Sequence, residues 1–446
     1  MSAEPSVWQR FERQTPKWFR DAKFGIFVHW GPYSVPAWAE PIAELGTIDD
    51  ETWFRHNPYS EWYWNTIRLV GSGAQEHHRT VFGDAPYDAF IDQWSAEAFD
   101  ADQWAAMFRG AGARYVVLTS KHHDGVALWD APGTGLRNTF KRGPKRDVVA
   151  ELANATRSAG LRFGAYYSGG LDWGISNSSP IATSADLWGQ RPRDAAYASY
   201  AYHHVLDLVR RYQPDILWND IEWPDAGKHA DACGLAALFD EFYDAVPDGV
   251  VNDRWGVPHC DFRTSEYQAR LENEVVGTAW ERCRGVGLSF GYNRNEDESH
   301  FLAPVDVVKL LADIVSRGGN LLLNIGPKAD GVIPRGQATV LARVGQWLDD
   351  WGEAIYGSRV FPEEFEQPAS DSWIRWTVTG DKAWAIVAAE GETLLPVRPD
   401  WLVSESAQCA GRPIEATSTA AGIALRVPEN DGFPVTISFE LLPTRR

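Results

Sequence analysis

Cysteine is scarce in this chain: four in 446 residues, Cys233, Cys260, Cys283 and Cys409. No pair falls at a CxxC or zinc-finger spacing, so they read as free or buried thiols, not as a disulfide frame or metal clip. No run reaches the roughly 18 apolar residues of a membrane-spanning helix. The start, Met1-Ser2-Ala3-Glu4-Pro5, has neither a basic segment nor an apolar core, so no secretory leader is expected and the expected location is cytoplasmic. Positive charge is also short, with 42 Lys and Arg against 61 Asp and Glu and a formal net charge of −19. Nucleic acid and anionic membranes need basic surface, so neither is expected as a partner, and the acidity reads as solubility. No GxGxxG or GxxxxGK[ST] follows the first predicted strand, which leaves a dinucleotide or P-loop fold without support.

What the chain does have is apolar bulk and indole. It is 44% hydrophobic and holds 22 tryptophans, enough for a large core, with flat rings left over that suit stacking on carbohydrate. Short apolar runs alternate with helical patterns. Strands are read at Gly25–Val28, Tyr115–Thr119, Phe163–Tyr167, Ile216–Trp218, Val250–Trp255, Thr264–Tyr267, Thr278–Glu281, Leu288–Asn293 and Leu321–Gly326. Helices are read at about Ala98–Arg109, Asp147–Ser158, Arg193–Tyr212, Ala232–Ala245, Pro304–Ser316 and Gln337–Trp351. Continuous apolar strands separated by helices mean a parallel sheet covered on both faces. About eight such units predict an α/β fold, a (β/α)8-like catalytic barrel over residues 1–357, irregular between Trp255 and Asn293. From residue 358 the texture changes: Trp373–Val378 and Ala383–Val387 flank a Gly380-Asp381 turn as a hairpin. A small antiparallel β-sandwich is expected over 358–446.

In a parallel barrel the carboxyl ends of the strands share one face, where active sites form. Reading those ends in order gives His29, His122-His123, Tyr167 with Asp172-Trp173, Trp218 with Asp220, Arg254, Glu266 and Phe290. The stretch Ile216–Pro224 carries the argument: an acid at the end of a buried strand, framed by Trp218 and Trp223. Two carboxylates on different strands, several imidazoles, one guanidinium and a ring of aromatics describe a sugar pocket, with general acid and nucleophile roles open to Asp220 and Glu266. The long loop after the first strand, through Trp53, Tyr59, Glu61 and Trp62, is too aromatic for idle surface and is expected to fold over a ligand. His122-His123-Asp124, with His29 and Asp220, could make a metal site, but adjacent histidines on a strand end should point apart. No metal and no cofactor are therefore expected.

Longer motifs sharpen this. Lys23–Gly31, Glu61-Trp62-Tyr63, Thr119–Gly125, Tyr166-Tyr167-Ser168, Leu217–Asp220, Asn252–Trp255 and Gly318–Pro327 together resemble the glycoside hydrolase family 29 α-L-fucosidases across nearly the whole barrel. The resemblance implies a retaining, exo-acting α-L-fucosidase that works through a covalent fucosyl-enzyme. Asp220 would be the nucleophile and Glu266 the acid/base. His29, Glu61, Trp62, His122, His123, Tyr167, Trp218 and Arg254 would hold the sugar, and Phe27 and Phe290 would pack its C6 methyl. Ile221 and Glu222 follow Asp220 where many members have glycine, which makes Glu222 a rival acid. Two other readings stay open: a fucose-binding protein without catalysis, and a metal-dependent barrel hydrolase. The expected partners are α-L-fucosylated small molecules or glycans; association into a homo-oligomer is left open.

Overall fold

The computed structural model describes residues 7–83, 85–176, 178–267, 278–362, 373–397 and 401–442; the stretch Met1–Pro5 lies outside them. Eight parallel strands form the first sheet: β1 Phe24–Val28, β2 Tyr115–Lys121, β3 Arg162–Ser168, β4 Ile216–Asp220, β5 Val250–Val251, β6 Arg263–Glu266, β7 Trp280–Gly285 and β8 Asn320–Ile325. Each pairs with its sequence neighbours, and β1 closes on β8, so the order runs β5-β4-β3-β2-β1-β8-β7-β6. The remaining seam, β5 to β6, is bridged by Asp261 N–H and Phe262 N–H donating to Val251 C=O at 2.9 and 3.4 Å. This is the expected barrel, and its irregularity falls where expected: no helix separates β5 from β6. Leu288–Asn293, read as a further strand, is a loop following β7.

The helices sit where period and capping place them. Asp100, Asp147 and Asp194 each accept backbone N–H bonds at the start of helices Ala101–Gly110, Val148–Ser158 and Ala195–Tyr212. Gly112 and Gly160, at φ +86° and +77°, turn the chain out of the first two toward the next strand. Helices Leu235–Ala245, Pro304–Ser316 and Arg335–Trp351 complete the outer layer.

Because strand side chains alternate, each barrel strand feeds two cores. Phe27, Tyr115, Val117, Tyr166, Ile216, Trp218 and Leu322 fill the barrel interior. Ile26, Val116, Phe163, Ala165, Tyr167 and Leu217 pack outward against the helices. Past the last helix, a six-stranded and a three-stranded antiparallel sheet enclose their own core around Ile374, Trp376, Leu425 and Phe439. The hairpin Trp373–Thr379/Lys382–Ala388 turns at Gly380-Asp381 as expected.

Candidate active site

The carboxyl ends of the strands surround a cavity of about 320 Å³ lined by Phe27, His29, Glu61, Trp62, His122, His123, Trp218, Asp220, Arg254, Glu266 and Phe290 among others. The barrel thus brings together every residue expected to act on or hold the sugar except Tyr167.

Asp220, the last residue of β4, meets three donors. Arg254 Nη1 donates to Oδ1 at 2.8 Å, the Ile221 N–H to the same oxygen at 2.9 Å, and the Tyr166 hydroxyl to Oδ2 at 2.9 Å. His123 Nε2 stands 3.8 Å from Oδ2. Burial works against the Asp220 charge, but the Arg254 charge, His123 and the bonds from Arg254 and Tyr166 outweigh it, and the acid is stronger than an ordinary aspartic acid. Glu266, at the end of β6, receives the other arm of the same guanidinium, Arg254 Nη2 to Oε2 at 3.2 Å, and the Tyr59 hydroxyl on Oε1 at 3.0 Å. Burial dominates there and the Asp220 charge adds to it, so Glu266 holds its proton to higher pH than an ordinary glutamic acid despite Arg254. One half-buried cation thus spans two carboxyl groups whose acidities are shifted in opposite directions.

The histidines are kept neutral. Burial pushes His29 down to about 3, and its Nδ1 lies 2.6 Å from Asn324 Oδ1. Asn324 Nδ2 already donates to Phe290 C=O, so Nδ1 is the protonated nitrogen of His29 and Nε2 is left to accept. His123, with Nδ1 2.7 Å from Ser168 Oγ, is pushed down to about 4, again chiefly by burial. His122 is buried with no bond on Nδ1. Glu61 accepts from the Gly291 N–H at 2.7 Å and from Ser289 Oγ at 3.3 Å; burial raises it to about 7. Neutral rings and a carboxyl near its midpoint suit hydroxyl groups, which need both donors and acceptors. Trp218 presents its ring 4.6 Å from the Arg254 guanidinium, and Phe27 and Phe290 stand 6.4 Å apart as an apolar corner.

Four corrections follow from the geometry. Tyr167 is not in the cup: it points outward, with its hydroxyl 3.1 Å from His204 Nδ1, and Tyr166 holds Asp220 instead. Both faces of a parallel barrel strand are buried, so composition gives no sign of which tyrosine faces in. His122 and His123 do not point apart; β2 ends at Lys121, and both rings line the cavity with centroids 4.1 Å apart. Glu222 faces away from the cavity, with Oε2 bonded to Lys228 Nζ at 2.5 Å and Arg191 Nη2 at 3.0 Å. Asp172 is likewise engaged behind the cup by Lys121 Nζ at 3.0 Å. Among the described residues no group of three or more His, Cys, Asp or Glu is arranged to hold a metal ion.

Two participants escaped the sequence reading. Tyr59 had been noticed only as part of the aromatic loop. Glu281, on β7, is wholly buried beneath the cup, where it accepts from Trp218 Nε1 at 3.0 Å and the Tyr115 hydroxyl at 2.5 Å, and burial raises it to about 7. A lone acid in the segment Trp280–Gly285, whose neighbours include Arg282 and Arg284, gives no sign from sequence that it faces inward.

A (β/α)8-like barrel whose strand ends carry a weak and a strong carboxylic acid over a sugar-sized cavity defines a glycoside hydrolase. The family model described as alpha-L-fucosidase matches residues 2–353. The tissue alpha-L-fucosidase of Homo sapiens is 33% identical over 384 residues, covering 84% of this chain and 76% of the relative. A solved alpha-L-fucosidase is 43% identical, superposes with a TM-score of 0.91 and covers 97% of this chain and 99% of its own. The Thermotoga maritima alpha-fucosidase solved in complex with fucose is 42% identical, with a TM-score of 0.86 over 96% of this chain and 97% of that one. The chain belongs to the alpha-L-fucosidase family.

Proposed function

We propose that the enzyme removes terminal α-L-fucose by double displacement with retention of configuration. The observation that carries this reading is the shared guanidinium: it bonds one carboxyl group that is a stronger acid than usual and one that is weaker, the division of roles a retaining pair needs at the start of the cycle. Asp220 Oδ attacks the anomeric carbon while the bond to the leaving oxygen breaks, and Glu266 gives that oxygen its proton. Glu266, now a carboxylate, takes a proton from water. The water oxygen attacks the anomeric carbon, and the bond to Asp220 breaks, which returns both groups to their starting states. One fork bonded to both carboxyls keeps them close, which favours the separation of about 5–5.5 Å found in retaining pairs over the wider gap that seats a water.

In this reading His29, Glu61, Trp62, His122, His123 and Tyr166 recognise the ring and its hydroxyls, Trp218 and Arg254 orient the reacting end, and Phe27 with Phe290 receives the C6 methyl. A methyl in an apolar slot discriminates by only about 1–3 kcal/mol, so the hydroxyl pattern carries most of the selectivity. The relative solved with fucose supports the same sugar here. The test is the anomer released first from an aryl α-L-fucoside, followed by NMR before mutarotation. Retention gives α-fucose first; β-fucose first would exclude the double displacement.

A further inference from the structure

Beyond the sugar-binding floor, the cavity has an outer half of different character. Leu45, Ile48 and Trp53 line it from the loop after β1, Leu187 from helix Ser184–Gln190 after β3, and Ile221 from the residue directly after Asp220. Leu45, Ile48, Leu187 and Ile221 are partly buried and pack on the barrel-interior core, so they are a fixed wall and not loose surface. The two polar side chains on this wall, Asp50 and Ser184, are bonded to each other: Ser184 N–H donates to Oδ2 at 2.8 Å and its Oγ to Oδ1 at 2.5 Å. That clasp joins the two loops above the mouth.

Ile221 supplies an independent sign. Its φ is +56°, a left-handed conformation that glycine adopts freely and a β-branched residue resists. An isoleucine held there against its preference, with its side chain lining the cavity, indicates that the apolar group itself is used. Trp53 packs edge-on against Tyr59, whose hydroxyl holds Glu266, so the wall reaches the acid/base side of the cup, opposite the attack of Asp220, where the leaving oxygen and whatever it carries must lie.

We propose that this outer half is a leaving-group subsite that binds the apolar face of the aglycone by contact and not by hydrogen bonds, with Leu187, Leu45 and Ile221 as its specificity-determining residues. The enzyme accordingly favours fucosides whose aglycone presents a continuous hydrocarbon surface. The inference rests on the fucosidase reading above. Its test compares kcat/KM for octyl and methyl α-L-fucoside. The two leaving alcohols have closely similar acidity, so bond-breaking is matched and binding of the aglycone is isolated. The octyl fucoside is expected to be preferred by about tenfold or more, the scale of a few methylenes entering an apolar slot. Leu187→Asn should shrink that ratio at least about threefold, and Leu45→Asn, on the opposite loop, provides a second variant should the first fail to fold. A ratio near one in the unmodified enzyme, or one that neither variant changes, overturns the subsite while leaving the activity intact. Turnover of neither fucoside would overturn the activity itself, and the subsite with it.

Discussion

The ends of β4 and β6 offer a controlled comparison. Each presents one carboxyl group with little exposure, and both bond to Arg254, yet Asp220 is strengthened as an acid and Glu266 weakened. Burial raises both, so it does not explain the difference. The number and kind of donors does. Asp220 has three, including the nearer arm of the guanidinium at 2.8 Å, and a fourth polar group in His123. Glu266 has the farther arm at 3.2 Å and one phenol, and it faces the charge on Asp220. One cation in a low-dielectric site offsets one carboxylate well; the second is left with burial and the first one's charge, which together make it a weaker acid than usual.

The sharpest way to break the comparison is to remove the ionised member. Asp220→Gly should cut kcat/KM for an aryl fucoside by about 10⁴-fold or more, since it removes the attacking carboxylate. Added azide should restore part of the rate and yield a fucosyl azide; a variant with activity near that of the parent would remove Asp220 from the nucleophile's role. The engagement of Glu222 by Lys228 and Arg191 implies that it cannot substitute.

Glu266→Ala tests the other member. A general acid contributes about 10²–10⁴-fold, and its loss matters most where the leaving group most needs a proton. Alkyl fucosides should lose rate by that range, and activated aryl fucosides far less. Equal losses on both would place the acid elsewhere.

Arg254→Met removes the group that couples the pair. Activity needs Asp220 ionised and Glu266 protonated, so kcat/KM falls at low pH as Asp220 gains a proton and at high pH as Glu266 loses one. Arg254 strengthens both acids, so without it both limbs move to higher pH. The acid limb should move further, because Asp220 has the shorter contact. The maximal rate should fall about 10²-fold, with the bonds to two charged or reacting groups lost together. A profile that keeps its limbs would mean that Arg254 does not set the two acidities.

Much of this was legible in the chain. The strand ends announce themselves because an apolar run that stops at His29 or Asp220 marks where a parallel strand meets the open face of a barrel. The long aromatic loop announced a cover over that face. What stayed hidden depends on facing. Parallel strands are apolar on both sides, so nothing in Phe163-Gly164-Ala165-Tyr166-Tyr167 says which residues point inward. The one clue is Gly164, where a Cβ would sit 2.9 Å from Ile216 and 3.0 Å from Val117; a small residue marks the crowded interior side, which Tyr166 shares by its two-residue spacing. Glu281 escaped for the same reason, and the outer wall of the cavity escaped because its residues come from two loops that meet only in space.

The paired tyrosines turn that lesson into the finest of the tests. Tyr166→Phe removes one of the three donors to Asp220 and leaves the ring in place. A hydrogen bond to a charged group contributes about 1.5–3 kcal/mol, so kcat/KM should fall roughly tenfold to a hundredfold, and the acid limb of the profile should move toward neutral because the Asp220 charge is less well held. Tyr167→Phe removes the bond to His204 in the outer layer, 3.1 Å long and behind the strand. It should cost about 1 kcal/mol of stability, read as a small drop in Tm, and change kcat/KM by no more than about twofold. If instead Tyr167→Phe damages catalysis and Tyr166→Phe does not, β3 presents its other face to the sugar. The hydrogen bonds drawn here between β3 and β4 would then be one residue out of register.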